Sequence, residues 1–245
     1  MSKGVRVLIL TSEMGFGHIS AARALSAALQ LHTEDTCEVT LVNPVADEDA
    51  PALLRQTQAT YDNAVTRTPS LYELGYDISD LSLAAAALEG GLSLILTRVM
   101  EKLIRQHRPD VIVTVHMYYL APLQALFDAR PRMRVPLVTV ITDLTNLHRM
   151  WFHPAADVCV TPTRAGYRQA LRLGLRKEQV RLIGIPVNPA FARVDQDKAA
   201  LRAELGWQPD TVTALVVGSS RMRDLPFKLH GLNHSRLPLQ FALVA

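Results

Sequence analysis

Apolar residues fall into two kinds of run along the chain, and the two alternate. Short unbroken stretches rich in β-branched residues occur at 4–11 ("GVRVLILT"), 37–42 ("CEVTLV"), 110–115 ("DVIVTV"), 136–142 ("PLVTVIT"), 157–161 ("DVCVT") and 180–187 ("VRLIGIPV"). Between them the apolar positions take helical spacing: from about His18 to Leu31, over much of 51–107, and at about 120–129 and 163–173. Leu92, Ile95, Leu96, Val99, Leu103 and Ile104 keep the i, i+3, i+4 rhythm of a buried stripe. Ser93, Thr97, Arg98, Glu101, Lys102 and Arg105 take the wet face, and Pro109 ends the helix. Strands without polar alternation are covered on both faces. The pattern therefore predicts an α/β fold, a Rossmann-like doubly wound parallel sheet.

The pattern changes after Asn188-Pro189, where charges rise until "WQPD" at 207–210. This stretch reads as a linker with a short helix near Asp197 to Leu205. "TVTALVVG" (211–218) and "LPLQFALVA" (237–245) then read as strands of a second α/β unit, and about 35 residues are too few to enclose a core. The expected division is a domain at 1–190, a linker at 191–210 and the incomplete start of a second domain at 211–245.

Composition narrows the function classes. With 49% hydrophobic and 20% charged residues the chain suits a packed core rather than disorder. A net charge of +3 and 6% aromatic residues give neither the basic field nor the stacking platform of a nucleic-acid binder, so no nucleic-acid partner is expected. Val5 to Leu10 is too short for a signal-peptide core and Arg6 interrupts it. The most apolar longer stretch, Leu81 to Leu96, is broken by Glu89, Gly90 and Gly91, so no membrane-spanning segment is expected. Cys37 and Cys159 lie far apart in strand-like runs, reading as small core residues of a reducing compartment. From Arg164 to Arg193 seven basic residues face one acid, Glu178, and Arg164, Arg168 and Arg172 recur every fourth residue along one helix face. That face reads as a solvated surface, or as one drawn to anionic lipid headgroups. The apolar stretch around Leu71 to Leu96 reads as a helix packed on the sheet, or as an interfacial element.

Candidate chemistry begins directly after the first strand, in "EMGFGHISAARAL" (Glu13 to Leu25). A strand, a glycine turn and a helix start form a site for an anion or a hydroxyl, with Gly15 and Gly17 permitting a sharp turn and close approach. The dinucleotide fingerprint fits incompletely. Ser20 replaces the third glycine, and Asn43 stands where a ribose-binding acid belongs. His18 suggests a general base, its imidazole kept neutral by the helix N-terminus, or else a capping or packed residue. A second cluster, "VITDLTNLHRMWFHPAADVCVTPT", carries Asp143 at a strand's carboxyl end, then His148, Trp151 and His153. Asp143 could orient the His18 ring as a dyad does, or cap a turn; Trp151 reads first as a core anchor. His116, after "DVIVTV", is another strand-end residue.

These segments, in this order and with "GLRKEQVRLIGIPVNPAF", resemble the monogalactosyldiacylglycerol synthases and diacylglycerol glucosyltransferases of glycosyltransferase family 28, over about residues 4–194. The resemblance implies a GT-B fold, two Rossmann-like domains facing one cleft, and inverting transfer of a hexose from a UDP-sugar to diacylglycerol. The N-terminal domain would bind the acceptor, with His18 as base, Asp143 as an acid of the cleft, and Gly15, Phe16, Gly17, His116, His148 and Trp151 around the acceptor. Gly184, Gly218 and Ser219 would serve the UDP-sugar, a co-substrate; no cofactor and no metal are implied. The implied setting is cytoplasmic, peripheral on the inner face of the cell membrane, in contact with anionic lipid. Met14 departs from a glycine of many relatives, and "VVGSSRMRDLPFKLHGLNH" keeps only Gly218 and two serines of a glycine-rich donor loop. Most of a donor domain is missing, so this chain alone is expected not to transfer sugar. A nicotinamide-dependent Rossmann oxidoreductase and a non-catalytic lipid- or partner-binding module are the competing readings.

Overall fold

The computed structural model describes residues 4–33, 36–56, 67–193, 196–218, 225–234 and 237–244. The chain divides into two compact units, Met1–Ala192 and Arg193–Ala245.

Six parallel strands form the sheet of the first unit: β1 (Val5–Leu10), β2 (Cys37–Val42), β3 (Val111–Thr114), β4 (Leu137–Val140), β5 (Val158–Thr161) and β6 (Val180–Leu182). They lie in the order β2-β1-β3-β4-β5-β6. Their unbroken apolar character has a direct cause. Leu8 and Leu10 enter a core shared with Leu96, Met100, Leu123 and Leu126, whereas Val7 and Ile9 enter a separate core with Ala21 and Ala22. Successive side chains of a strand point to opposite faces, so a sheet covered twice demands apolar residues at every position. The covering helices are α1 (Phe16–His32), against the second core, and α4 (Ser82–His107) with α5 (Leu120–Ala129), against the first. The short α2 (Ala52–Arg55), α3 (Pro69–Ser79) and α6 (Arg164–Arg172) complete the helices described in this unit.

Three expectations need adjustment. Helix α4 runs without a break through Glu89, Gly90 and Gly91 and is long and apolar enough to cross a membrane. The glycines cost the helix about 1 kcal/mol each, and its packed C-terminal half offsets that. Within its stripe Leu92, Leu96, Val99, Leu103 and Ile104 are buried, but Ile95 is 38% exposed. Leu83 and Leu94 stand almost fully exposed on α4, and Leu74 and Ile78 are exposed on α3. Finally, β6 ends at Leu182 instead of running to Val187, because Gly184 adopts φ 114° and turns the chain away from the sheet edge.

The second unit pairs β7 (Val212–Val217) with β8 (Leu239–Val244) in parallel, with α7 (Lys198–Glu204) and α8 (Leu225–Asn233). None of its described residues is buried; Val212, Leu215 and Val217 remain 65%, 64% and 62% exposed. Two strands cannot shield one another's faces.

Candidate active site

Strand order reverses between β1 and β3, since β1 connects to β2 on one side and the chain then returns to the other. In open parallel sheets the crevice at such a switch point, outside the strands' carboxyl ends, is where ligands bind. The segments leaving β1, β3 and β4 converge there around an open cleft of about 1000 Å³. His18, His116, Asp143, His148 and Trp151 all line it.

His18 is the third residue of α1, whose cap is Gly15 at φ 88°, ψ 159°. That conformation is essentially restricted to glycine, so Gly15 is required by the turn. Gly17 has an ordinary backbone, and a side chain there would meet nothing within 4 Å. Phe16 is 75% exposed, and the turn residues 15–17 lie beside the cleft without forming its wall.

The His18 ring is fixed by backbone. Its Nδ1 lies 2.8 Å from the Val115 carbonyl and 2.9 Å from the Thr142 hydroxyl. A carbonyl oxygen only accepts, so Nδ1 carries the hydrogen and Nε2 keeps its lone pair. The Val115 N–H in turn donates to the Leu10 carbonyl at 3.0 Å, so the backbone of one residue ties the ring to the β1–β3 ladder. Burial lowers the pKa of His18, against the opposing pull of Asp143 and of the Val115 carbonyl. A neutral ring with a bare Nε2 is the form a base requires.

Asp143 is not hydrogen-bonded to His18 among the described residues; its carboxylate accepts the Trp151 indole N–H at 2.8 Å. Val115 and Thr142 therefore orient the ring, in place of the expected dyad, and Asp143 acts on it through charge. Trp151 is both the expected core anchor, 1% exposed, and a wall of the cleft. His116 is buried with its ring edge-on to His18, centroids 4.5 Å apart. Burial holds its pKa well below the usual histidine range, and the neighbouring imidazole adds to the effect. Its Nδ1 accepts the Tyr118 N–H at 3.3 Å, which puts the ring hydrogen on Nε2.

His148 is 1% exposed, with its Nδ1 accepting the Met150 N–H at 3.3 Å and its Nε2 lying 3.2 Å from the Ser79 hydroxyl. Both ring nitrogens are thus engaged within the protein. His153 lies outside the cleft wall, its Nδ1 accepting the Ala155 N–H at 3.1 Å. Thr142, Tyr76 and Ser79 were not singled out by sequence reasoning. Thr142 sits inside a quoted motif without a distinguishing feature, and the other two come from α3, which no pattern ties to this cleft.

Gly184 and Gly218, both assigned to the donor, fall in different units. Gly184 follows β6, its N–H 3.4 Å from the Thr161 carbonyl, and is not part of the cleft wall. Gly218 belongs to the second unit, where its N–H donates to the Val244 carbonyl at 2.7 Å. Ser219 lies outside the described residues. Among the described residues no three histidine, cysteine, aspartate or glutamate side chains cluster as metal ligands.

The fold recurs in solved structures of low identity. HepE from Anabaena, in complex with UDP and glucose, is 16% identical with a TM-score of 0.51, over 98% of this chain and 70% of its own. UDP-GlcNAc 2-epimerase from Neisseria meningitidis, bound to UDP-GlcNAc, is 11% identical with a TM-score of 0.52, over 98% and 65%. In sequence, chloroplastic monogalactosyldiacylglycerol synthase 2 of Arabidopsis thaliana is 31% identical over 86% of this chain and 45% of its own. The chloroplastic synthase of Spinacia oleracea is 29% identical over 87% and 41%. The chain thus spans less than half the length of these curated relatives. Their chloroplastic designation overturns the expected cytoplasmic setting on the inner face of a cell membrane, which rested on a reducing compartment and a general likeness to lipid glycosyltransferases. The family model for monogalactosyldiacylglycerol (MGDG) synthase matches residues 18–187, starting at the cleft histidine and running through β3 and β4, whose ends open on the cleft, and the chain belongs to that family.

Proposed function

We propose that the first unit is the acceptor half of an inverting hexosyltransferase, binding diacylglycerol with its free hydroxyl against His18, and that the second unit begins the half that binds the UDP-sugar. The observation that carries this reading is the His18 ring: anchored through Nδ1 to the Val115 carbonyl, it presents a bare Nε2 in an open cleft. The acceptor hydroxyl donates to Nε2. As its oxygen bonds to the anomeric carbon, the proton passes to Nε2 and UDP leaves from the opposite face with the bonding electron pair. Asp143 and the Val115 carbonyl stabilise the imidazolium so formed. The neutral His116 ring, with hydrogen on Nε2, is a donor for acceptor oxygens. Gly184, Gly218 and Ser219 would belong to the donor side, and no metal takes part in these steps.

Membrane contact belongs to the same reading. Leu74, Ile78, Leu83 and Leu94 are exposed on the helix pair that also sends Tyr76, Ser79 and Leu88 into the cleft wall. Burying such side chains in a lipid surface gains about 1.5–3 kcal/mol each at full burial, and Arg164, Arg168 and Arg172 add exposed positive charge.

The acceptor role is tested by calorimetric titration of the purified chain with dioctanoylglycerol and with the same lipid O-methylated at its hydroxyl. The free alcohol binds about fivefold or more tightly than the ether, as one hydrogen bond of ~1 kcal/mol requires, and His18→Ala removes the difference. Equal binding of both lipids by the unsubstituted chain refutes the reading.

A further inference from the structure

Helix α3 forms one wall of the cleft through Gly75, Tyr76 and Ser79, and the loop after β4 forms the facing wall through Asp143, Asn146 and Trp151. Something must hold the two walls at a fixed separation. Helix α3 ends at Ser79, and the chain changes direction at Leu81, with φ −64° and ψ 142°, before α4 begins. Direct ties run from α3 and its C-cap to the loop. The Tyr76 hydroxyl donates to the Asn146 carbonyl at 2.7 Å, and the Arg149 N–H donates to Asp80 Oδ1 at 2.5 Å. The Tyr76 ring stands edge-on to His148, centroids 5.2 Å apart.

At the centre of these ties His148 gives a continuous hydrogen-bond chain, with Asp80 Oδ1 a further 3.7 Å from its Nδ1. The Met150 N–H donates to Nδ1, so the ring hydrogen resides on Nε2 and is donated to Ser79 Oγ, whose own hydroxyl donates to the Tyr76 carbonyl at 2.8 Å. Both ring nitrogens of His148 are occupied within the protein. We infer that His148 is a positioning residue, clamping helix α3 to the Asn146–Arg149 loop and so setting the width of the acceptor cleft, rather than a residue that touches the acceptor. The inference rests on the acceptor-binding reading of the cleft and adds how that cleft is held open to one size.

Two variants separate the clamp from the fold. His148→Asn keeps a side-chain oxygen near the place of Nδ1 to accept the Met150 N–H but cannot reach Ser79. Ser79→Ala removes the same bond from the other side at a part-buried position. Backbone hydrogen exchange, thermal midpoint and dioctanoylglycerol affinity are measured for both variants and for the double variant. The expected result is exchange about 5–10-fold faster over residues 69–80 in each variant, unchanged exchange over α5, and weaker lipid binding. The double variant should be no worse than either single one, as two ends of one bond require. Unchanged exchange over 69–80, or losses that add in the double variant, overturn the clamp. Failure of the unsubstituted chain to bind the lipid overturns the acceptor reading instead, and exchange still decides the clamp.

Discussion

Trp151→Phe isolates a contact on which both the core and the cleft depend. The indole is 1% exposed and packs among Ile141, Leu147, Phe152 and Cys159, and its N–H donates to Asp143 Oδ2 at 2.8 Å. Phenylalanine keeps an aromatic ring in the same core but gives up the donor and a slice of volume. The lost volume leaves space of about 35–40 Å³, costing about 1 kcal/mol at ~24 cal/mol per Å³. A hydrogen bond to a charged acceptor contributes about 1.5–3 kcal/mol; Asp143 is only part-buried, so water replaces some of it and the low end applies. The sum is about 2–2.5 kcal/mol. Urea unfolding followed by circular dichroism reads this as a lower midpoint at an unchanged m-value. Asp143→Ala, which removes the acceptor, combined with Trp151→Phe in a double-mutant cycle, should recover a coupling of about 1–1.5 kcal/mol. A loss below about 0.5 kcal/mol, or strict additivity, would mean the indole–carboxylate bond does not stabilise this cleft.

Acidification should destabilise the first unit. Burial lowers the pKa of His116 and of His148 below the ordinary histidine value, so on the way down from neutral pH the unfolded chain takes up protons that the native rings refuse. Stability is fully present above about pH 6.5 and falls below it by up to about 1.4 kcal/mol per pH unit for each buried ring. The urea midpoint at pH 7.5, 6.5 and 5.5 should drop mainly across the last interval, and His116→Phe should flatten that drop. Gly166→Ala and Gly90→Ala should move stability in opposite directions. A Cβ at 166 would come within 2.6 Å of the buried Leu147, costing about 1–2 kcal/mol net, whereas at 90 it meets nothing within 4 Å and gains about 0.5–1 kcal/mol of helix propensity, both read by thermal unfolding. Flotation should recover more of the chain with anionic than with neutral vesicles. Replacing Arg164, Arg168 and Arg172 together with glutamine should narrow that gap, at about 1 kcal/mol per charge near the surface, and equal recovery would reject the charge-based contact.

The sheet was legible because burial on both faces writes itself into composition: β1, β2 and the helices over 120–129 and 164–172 lie where the apolar runs place them. His116 and Asp143 were legible as strand-end residues and His18 as a residue of a glycine turn opening a helix, positions that topology turns into a shared cleft. Their division of labour was not. A carbonyl such as that of Val115 carries no side-chain identity, so no pattern announces that it holds the His18 ring. Partnership between Trp151 and Asp143 also depends on how a loop folds back over eight residues. Nor does sequence distinguish His148 as a structural tie from His148 as a ligand, because the difference lies in whether its two nitrogens are already occupied. The glycine pair in α4 misled for another reason: propensity is weak, and the packing of Leu92 to Ile104 overrides it.

The register of β3 against β1 has a consequence for how this family can vary. Leu10 lies opposite Thr114, and the next residue, Val115, grips β1 through its N–H and holds the His18 ring through its carbonyl. The ladder thereby serves as the ruler for the two imidazoles. A single residue inserted within Val111–Val115 would turn each following side chain to the opposite face and carry His116 away from its partner.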